Sequence, residues 1–487
     1  MEWGDSARLF MNNIEVLTSI KAKENIWIVG GYIRDLLLNK ISEDMDFVTD
    51  GNTQKIAQMF AKETKGKFIV LDDFNKIYRV IIKGKTYDFS KMQGKNIIDD
   101  LSRRDFAINA MAIQIQYTGY LPLNRRRASR IQNTADKNII DPFKGQGDIK
   151  NKVIRCIEEK NFVDDPLRVL RAYRFAGQLK FNIEPKTDRF IRKYSKQLKK
   201  ISAERIYYEL NLIMELNDTH STILSMYKSG ILDKILPELI KTKHTARCYY
   251  PKMGLLGHCF DSLMVFEKFY KNNFKSIFPK FNNKIMLHLN DNISKTVKRK
   301  TILKYAVLLH DIGKPGSAKR IDDRLRFFGH EDIGSKIIEN IGKRLRFSND
   351  EINYLKKLIQ NHMRLGNLTS AKEVTDKATW RFFKDLGDDG IDQIILSICD
   401  AYTYPPSKTR TLHKLVGNKL LSKYIFRKNK VLPEKLLDGF EIMKILKIEQ
   451  GPKVGSILKK LEEAQVTKKV KTKDEAVRFI KSIVKTK

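Results

Sequence analysis

Residues 26–82 contain four short runs dominated by β-branched and aromatic side chains: Ile26-Trp27-Ile28-Val29, Phe47-Val48, Phe68-Ile69-Val70-Leu71 and Tyr78-Arg79-Val80-Ile81-Ile82. Such runs fit a pleated, half-buried surface and predict strands, with helical stretches between them. After Asp141-Pro142-Phe143 the strand signal thins. Apolar residues then recur three and four apart, as at Phe190, Ile191, Tyr194 and Leu198 between basic positions, which is the spacing of an amphipathic helix. The expected fold class is therefore α+β, an α/β head with a mixed sheet and helices followed by an all-helical remainder. At 487 residues the chain is too long for one ordinary domain. Weak boundaries fall at Lys144 to Gly147, around Tyr249 to Gly254 and at Pro405-Pro406.

Charge narrows the partner. The chain has 93 Lys and Arg against 57 Asp and Glu, a formal charge of +36, and neutralising phosphates releases condensed counterions. A polyanion is expected, nucleic acid before membrane. Cys156, Cys248, Cys259 and Cys399 lie far apart with no CxxC pair, which excludes a disulfide scaffold and a thiolate zinc site. No apolar run approaches the roughly 18 residues of a membrane span, and Met1-Glu2-Trp3-Gly4-Asp5 is acidic where a targeting peptide is basic. A cytoplasmic protein without a membrane partner is expected.

The first predicted strand runs into Gly30-Gly31 and then into a helix beginning near Tyr32. Two glycines at such a turn let a ligand approach the backbone and leave free N–H groups, with Arg34 one turn further in to pair with a phosphate. Next comes Asp44-Met45-Asp46 before Phe47-Val48. At strand spacing the two carboxylates point to one face, and like charges so placed call for a divalent cation, expected to be Mg²⁺. Asp88, ending a later run, stands as a third acid for a two-metal phosphoryl-transfer site.

Gly30-Gly31, Arg34-Asp35 and Asp44-Met45-Asp46 in this order resemble the signature of the class II nucleotidyltransferases, the family of CCA-adding tRNA enzymes and bacterial poly(A) polymerases. Leu101 to Ala112 resembles its second motif, implying that Arg104 contacts the nucleotide and Asp105 orders the sugar end. Asp141-Pro142-Phe143-Lys144-Gly145 resembles the hinge motif, with Lys144 where glycine is usual. Asp164 to Phe175 resembles the motif that reads the incoming base, with Asp164 in place of Glu. Ala203-Glu204-Arg205-Ile206 with Glu209-Leu210 resembles the motif that braces the neck. If Asp165 and Arg168 share a helix face, they offer an acceptor beside a fork of donors. The resemblance implies that this pair selects C or A without a nucleic-acid template, and that Arg171 and Arg174 line the same pocket.

Tyr305 to Leu309 leads into His310-Asp311-Ile312-Gly313-Lys314, and His258, His330, His362 and Asp400 follow the order H…HD…H…H…D. This series resembles the HD superfamily of metal-dependent phosphohydrolases. The resemblance implies His258, His310, Asp311 and Asp400 on one divalent metal and His330 and His362 for a second, either to hydrolyse a phosphoester at an RNA 3′ end or as a retained RNA-binding scaffold.

Together these readings give a nucleotidyltransferase head (1–150), a helical neck for base recognition and RNA (151–245), an HD domain (246–405) and a basic helical tail (406–487). The expected activity is addition of CCA, or part of it, to tRNA from CTP and ATP. The alternatives are A-only addition, poly(A) synthesis, or chiefly HD phosphohydrolysis. Basic residues in the neck (Lys186 to Lys200), before the HD helix (Lys295, Lys298, Arg299, Lys300) and in the tail (Lys419, Lys423, Arg427, Lys428, Lys430) suggest a track for the RNA body. The Arg-rich segment 121–135 reads as an exposed loop or an RNA contact, and Gly455 as a glycine preceding a helix.

Overall fold

The computed structural model describes residues 16–17, 24–40, 42, 44–115, 139–250, 253–371 and 373–485, so the Arg-rich segment 121–135 lies outside the described residues. The chain forms two compact units, Met1–Arg205 with Ser229–Ile231, and Ile206–Lys228 with Leu232–Lys487.

The first unit is built on seven strands: β1 (Ile26–Val29), β2 (Asp44–Thr49), β3 (Lys67–Asp72), β4 (Ile77–Ile82), β5 (Lys85–Lys91), β6 (Ala112–Ile115) and β7 (Ile139–Ile140). Their order is β3-β4-β5-β2-β1-β6-β7. β2 and β5 are parallel and the other neighbours antiparallel, which makes the sheet mixed. Lys83 and Gly84, at φ 50° and 82°, form the two-residue hairpin connection whose twist matches the strands. That turn fixes the register, pairing Ile82 with Lys85 and Arg79 with Asp88.

Alternation along β2 and β5 sorts the side chains. Met45 pairs with Tyr87 and Phe47 with Phe89, and all four are buried. Phe60, on the helix Thr53–Thr64, packs its ring 5.3 Å and 5.4 Å from Tyr87 and Phe89. Removing an aromatic ring of this kind from water contributes about 2 kcal/mol. Because the period is two, Asp44, Asp46 and Asp88 then point to the opposite face. On that side Trp27, Val29 and Val48 join Ile97 and Leu101 of the helix Ile97–Ser102, so the acids emerge beside a second core and are held at fixed depth.

The remaining chain is mostly helical, interrupted by two small ribbons with little apolar pattern to reveal them: β8 (Val153–Ile154) with β9 (Asn182–Ile183), and β10 (Lys319–Ile321) with β11 (Arg324–Arg326). The second unit packs the helices Gly254–Lys271, Arg299–Leu309, His330–Leu345, Asn349–Asn361 and Asp389–Ala401. Ser348 and Glu351 close a capping box at the start of Asn349–Asn361, satisfying two end N–H groups. The helices Gly439–Leu446, Pro452–Val466 and Lys473–Lys485 share a core of Leu437, Ile442, Ile457, Leu461 and Ile480. Gly455 lies inside the second of these and does not precede it, because Pro452 supplies the helix start. Among the described residues no helix is long and apolar enough to cross a membrane.

Candidate functional site

Gly30 caps the helix Gly31–Leu37 at φ 77°, a left-handed conformation that favours glycine. A Cβ there would stand 2.8 Å from Arg104 Nη1 and 3.5 Å from Asp46 Oδ2. The turn is thus where the second-motif arginine and the strand carboxylate converge. Asp46 lies opposite Asp88 and Asp44 opposite Thr86 in the β2/β5 register, and the Thr86 hydroxyl donates to Asp44. Arg79 forks onto Asp88, with Nε and Nη2 each 2.7 Å from an oxygen. Asp46 opens to solvent on this face, yet the protein packed around its carboxyl, with Asp88 and Asp44, pushes it above its ordinary range against the pull of Arg104 and Arg79. A divalent cation relieves such crowding, and carboxylates are its ordinary ligands. Arg104 Nε is buried without a hydrogen-bond partner among the described residues, a donor left over for a ligand.

The other residues form a scaffold around this face. Arg34 is buried and turned to protein groups: Nε and Nη2 lie 2.9 Å from Asp35, and Nη1 lies 2.8 Å from Asn109 Oδ1. Gly31 lies directly beside its guanidinium. Asp105 accepts from Phe106 N, Asn109 and Arg171 at 2.8, 3.0 and 2.8 Å. Burial raises its pKa, but Arg171, Asn109 and Arg168 outweigh that and hold it below the usual carboxylate range. The Arg34, Arg171 and Arg174 guanidiniums lie 5.2, 5.3 and 4.1 Å from the centre of the Phe175 ring.

Asp165 and Arg168 do not share a helix face. Asp165 is extended, at φ −142°, after the short helix Lys160–Asp164, while Arg168 begins Arg168–Leu179. Pro166 explains this, because a residue before proline is driven out of the α region. A turn still joins them, Arg168 N donating to Asp165 O at 3.1 Å. Arg205 donates to Asp165 Oδ2 at 2.8 Å, and Arg168 donates to the carbonyls of Arg103 and Asn161 at 2.6 and 3.1 Å. Arg171 and Arg168 therefore tie residues 164–175 to residues 101–112. Arg299, expected in the basic track, is turned inward instead and bridges Asp389 and Asp392 at 2.6 Å each. Of the other track residues, Arg192 and Lys193 are ion-paired with Asp188 and Glu159, and in the tail Lys419, Lys423 and Lys428 with Glu373, Asp376 and Asp388.

In the second unit six predicted ligands meet in one buried cluster, in two groups: His258, His310 and Asp400, and Asp311, His330 and His362. Asp311 joins them. Its Oδ2 lies 3.6 and 3.3 Å from Nε2 of His258 and His310, and its Oδ1 lies 3.6 and 3.4 Å from Nε2 of His330 and His362. Asp400 Oδ1 is 3.1 Å from His258 Nε2. Helix ends deliver most of these groups: His310 and His362 close Arg299–Leu309 and Asn349–Asn361, and His330 opens His330–Leu345. Gly313 permits the assembly, since a Cβ would strike the His330 carbonyl and Gly334.

Each imidazole is oriented from behind. His310, His330 and His362 donate Nδ1–H to the carbonyls of Val307, Phe327 and Ile359 at 2.9, 2.7 and 2.6 Å. His258 Nδ1 donates to Thr403 Oγ1 at 3.1 Å, and that hydroxyl donates to Asp400 O at 2.7 Å. All four Nε2 lone pairs therefore face inward, with His258 and His310 3.3 Å apart and His330 and His362 3.0 Å apart. Lone pairs facing at that distance, with a carboxylate oxygen of Asp311 buried and unpartnered, fit cations. Lys314 donates to Asp311 at 2.6 Å. Burial lifts the Asp311 pKa, but Lys314, His310 and His362 hold it well below the ordinary range. Tyr250 stacks on His258 at 4.7 Å and shares its hydroxyl with Tyr404. Sequence reasoning missed Arg79, Thr86, Tyr250, Thr403 and Tyr404. Only Arg79 had a signal, the Lys83-Gly84 turn that sets it opposite Asp88.

Residues 26–155 match the poly(A) polymerase head domain, 180–242 a probable RNA- and SrmB-binding site of polymerase A, and 283–404 the HD domain. His258 lies before the last of these. An A-adding tRNA nucleotidyltransferase of Deinococcus radiodurans is 28% identical across 93% of this chain and 94% of its own. A CC-adding tRNA nucleotidyltransferase of Synechocystis is 25% identical across 94% of each. Among solved structures, a CCA-adding enzyme with ATP superposes with a TM-score of 0.64 at 22% identity, over 99% of this chain and 96% of that one. A Thermotoga maritima CCA-adding enzyme complexed with tRNA gives 0.59 at 21% identity, over 99% and 96%.

Proposed function

Because the chain belongs to the family of class II CCA-adding tRNA nucleotidyltransferases and bacterial poly(A) polymerases that carry an HD domain, we propose that it adds CCA, or part of it, to tRNA 3′ ends from CTP and ATP and releases pyrophosphate. The observation that carries this reading is the acidic face of β2 and β5, with Asp46 beside Arg104 at the Gly30 turn. The family uses divalent metal, and the proposed ion is Mg²⁺ on Asp44 and Asp46, with Asp88 as the third acid. When bound, such ions activate the RNA 3′ hydroxyl and neutralise triphosphate charge.

The chain's own residues do the rest. Gly30 and Gly31 admit the triphosphate close to the backbone, Arg104 offers its unpaired donor, and Asp105 holds Arg171 in place. Asp165 and Arg168 serve as base-reading groups, with Arg171 and Arg174 on the same rim. Arg34 is placed to hold the first-motif helix against Asn109, and it reaches phosphate only by leaving Asp35. The proposed division remains head 1–150, neck 151–245, HD domain 246–405 and tail 406–487.

Relatives covering nearly the whole chain include both A-adding and CC-adding enzymes, so the products of separate substrates decide the specificity. The protein is incubated with tRNA ending before CCA, tRNA ending at CC, and an unrelated RNA, with CTP and ATP separately and together. Three nucleotides on the first substrate support CCA addition, and one A on the second alone supports A-only addition. Long tails on the unrelated RNA support poly(A) synthesis, and no extension of any substrate overturns the assignment.

A second reading concerns the six-ligand cluster, whose inward lone pairs support a divalent-metal phosphohydrolase acting on RNA 3′ ends. His258, His310, Asp311 and Asp400 would hold one ion, and Asp311, His330 and His362 another. Ions there would generate a nucleophilic water. For a 2′,3′-cyclic phosphate one water O–P bond forms, one ester P–O bond breaks, and the freed oxygen takes the proton.

A further inference from the structure

We propose that the β10–β11 hairpin together with Phe328 is the strand-holding surface of the HD cluster, so that this site takes the 3′ end of an RNA chain and not a free nucleotide. The inference rests on the phosphohydrolase reading of that cluster.

Register concentrates charge on the hairpin. Lys319 faces Arg326 and Ile321 faces Arg324, and cross-strand partners share a face. Lys319, Arg324 and Arg326 therefore lie on one side of two three-residue strands, with Arg320 on the other. Asp322 and Asp323 occupy the turn at φ 47° and 56°. None of the four cations has an ion pair among the described residues. Like charges directly opposite one another are unfavourable, and a lone hairpin of this size is marginal in water. A bound polyanion removes the conflict.

The hairpin is fastened to the metal cluster at both sides. The Tyr249 hydroxyl donates to the Leu325 carbonyl at 3.2 Å, and the next residue, Tyr250, stacks on His258. Beyond β11 the Phe327 carbonyl orients His330, and the Phe327 ring lies 5.5 Å from Lys314 Nζ. Arg326 is four residues from His330, so the two Cα atoms stand within about 14 Å of each other.

Phe328, between them, is 76% exposed. An aromatic ring beside a row of unpaired cations suits a single-stranded chain, whose bases stack while successive phosphates follow the charges. A mononucleotide has one phosphate group and leaves Lys319, Arg324 and Arg326 unused.

The test uses the full chain with a Lys319→Ala/Arg324→Ala/Arg326→Ala triple variant and a separate Phe328→Ala variant. Bound metal is measured, with hydrolysis of bis(p-nitrophenyl) phosphate and of a short oligoribonucleotide ending in a 2′,3′-cyclic phosphate. Photo-crosslinking of the same strand carrying a terminal 4-thiouridine gives a readout independent of turnover. The expected result is unchanged metal and small-ester hydrolysis in both variants. In the triple variant, KM for the oligonucleotide rises at least about tenfold and the log–log salt slope flattens by about 2, at ~0.7 per lost phosphate contact. The crosslink to the peptide holding Phe328 should disappear in Phe328→Ala. Wild-type KM, salt slope and crosslinking in the variants would overturn the proposal, as would parallel loss of the small-ester activity. A wild-type protein that holds no metal and cleaves neither ester overturns the phosphohydrolase reading instead. The crosslink and the salt slope then still decide whether the hairpin holds RNA.

Discussion

Asp46 and Asp88 face each other across the parallel strands β2 and β5, yet their surroundings differ: Arg79 forks onto Asp88, while the protein and the acids crowded around Asp46 lift its carboxyl above the ordinary range. Two adjacent acids are thereby made unequal, one neutralised by an arginine and the other left to attract a cation. Asp46→Asn should lower nucleotide addition at least about 10³-fold, the scale of several kcal/mol of lost charge stabilisation. Thermal unfolding of the metal-free protein should be unchanged or slightly higher, since a crowded charge is removed. Substantial incorporation by this variant in a primer-extension assay would count against the site.

Asp105 provides a pH test away from the metal ligands. Its folded pKa lies below the ordinary value because Arg171, Asn109 and Arg168 outweigh burial. A depressed acid contributes stability above its unfolded pKa of about 3.9, and that stability is lost as pH falls through the lower folded value. Asp105→Asn should cost about 2 kcal/mol near pH 7, Arg171 being partly solvated. The difference from wild type should shrink as pH falls below about 4. Urea unfolding at a series of pH values measures both effects.

Lys144 caps the helix Gly145–Asn151 at φ 60°, ψ 36°, where a side chain costs about 1–2 kcal/mol and glycine less. Lys144→Gly should raise stability by about 0.5–1 kcal/mol, read as a shift in the urea midpoint. The neighbouring glycine behaves in the opposite sense. A Cβ on Gly145 would strike the Ala107 carbonyl, so Gly145→Ala should destabilise by about 1–3 kcal/mol.

Asp311 reaches one histidine pair through each carboxylate oxygen. Metal analysis of the wild type should find about two divalent ions per chain at this cluster, besides those on Asp44 and Asp46. Asp311→Asn should lose both, and His362→Ala only the one on the His330 side. Equal metal content in all three proteins would show that the carboxylate does not bridge.

Much of the head was legible because its period-two pattern is strong: Met45, Phe47, Tyr87 and Phe89 must face a core, which sends Asp44, Asp46 and Asp88 outward. The HD ligands were legible as an ordered series, but the backing of each imidazole was not, since Val307, Phe327 and Ile359 contribute carbonyls that any residue has. Pro166 was visible and should have moved Asp165 off the helix. Arg299 looked like a solvated cation because its partners, Asp389 and Asp392, lie about 90 residues away. The β10–β11 hairpin escaped notice for the opposite reason: its strands are short, charged and exposed, with no apolar side to mark them.

The cluster's ligands come from helices separated by up to about 140 residues of chain, a span whose closure entropy rises only logarithmically with length. An ion gripped by His258 and Asp400 together acts as a fastener on that long loop and binds the folded chain far better than the unfolded one. With an ion bound there, free cation concentration would enter the stability of the helical unit.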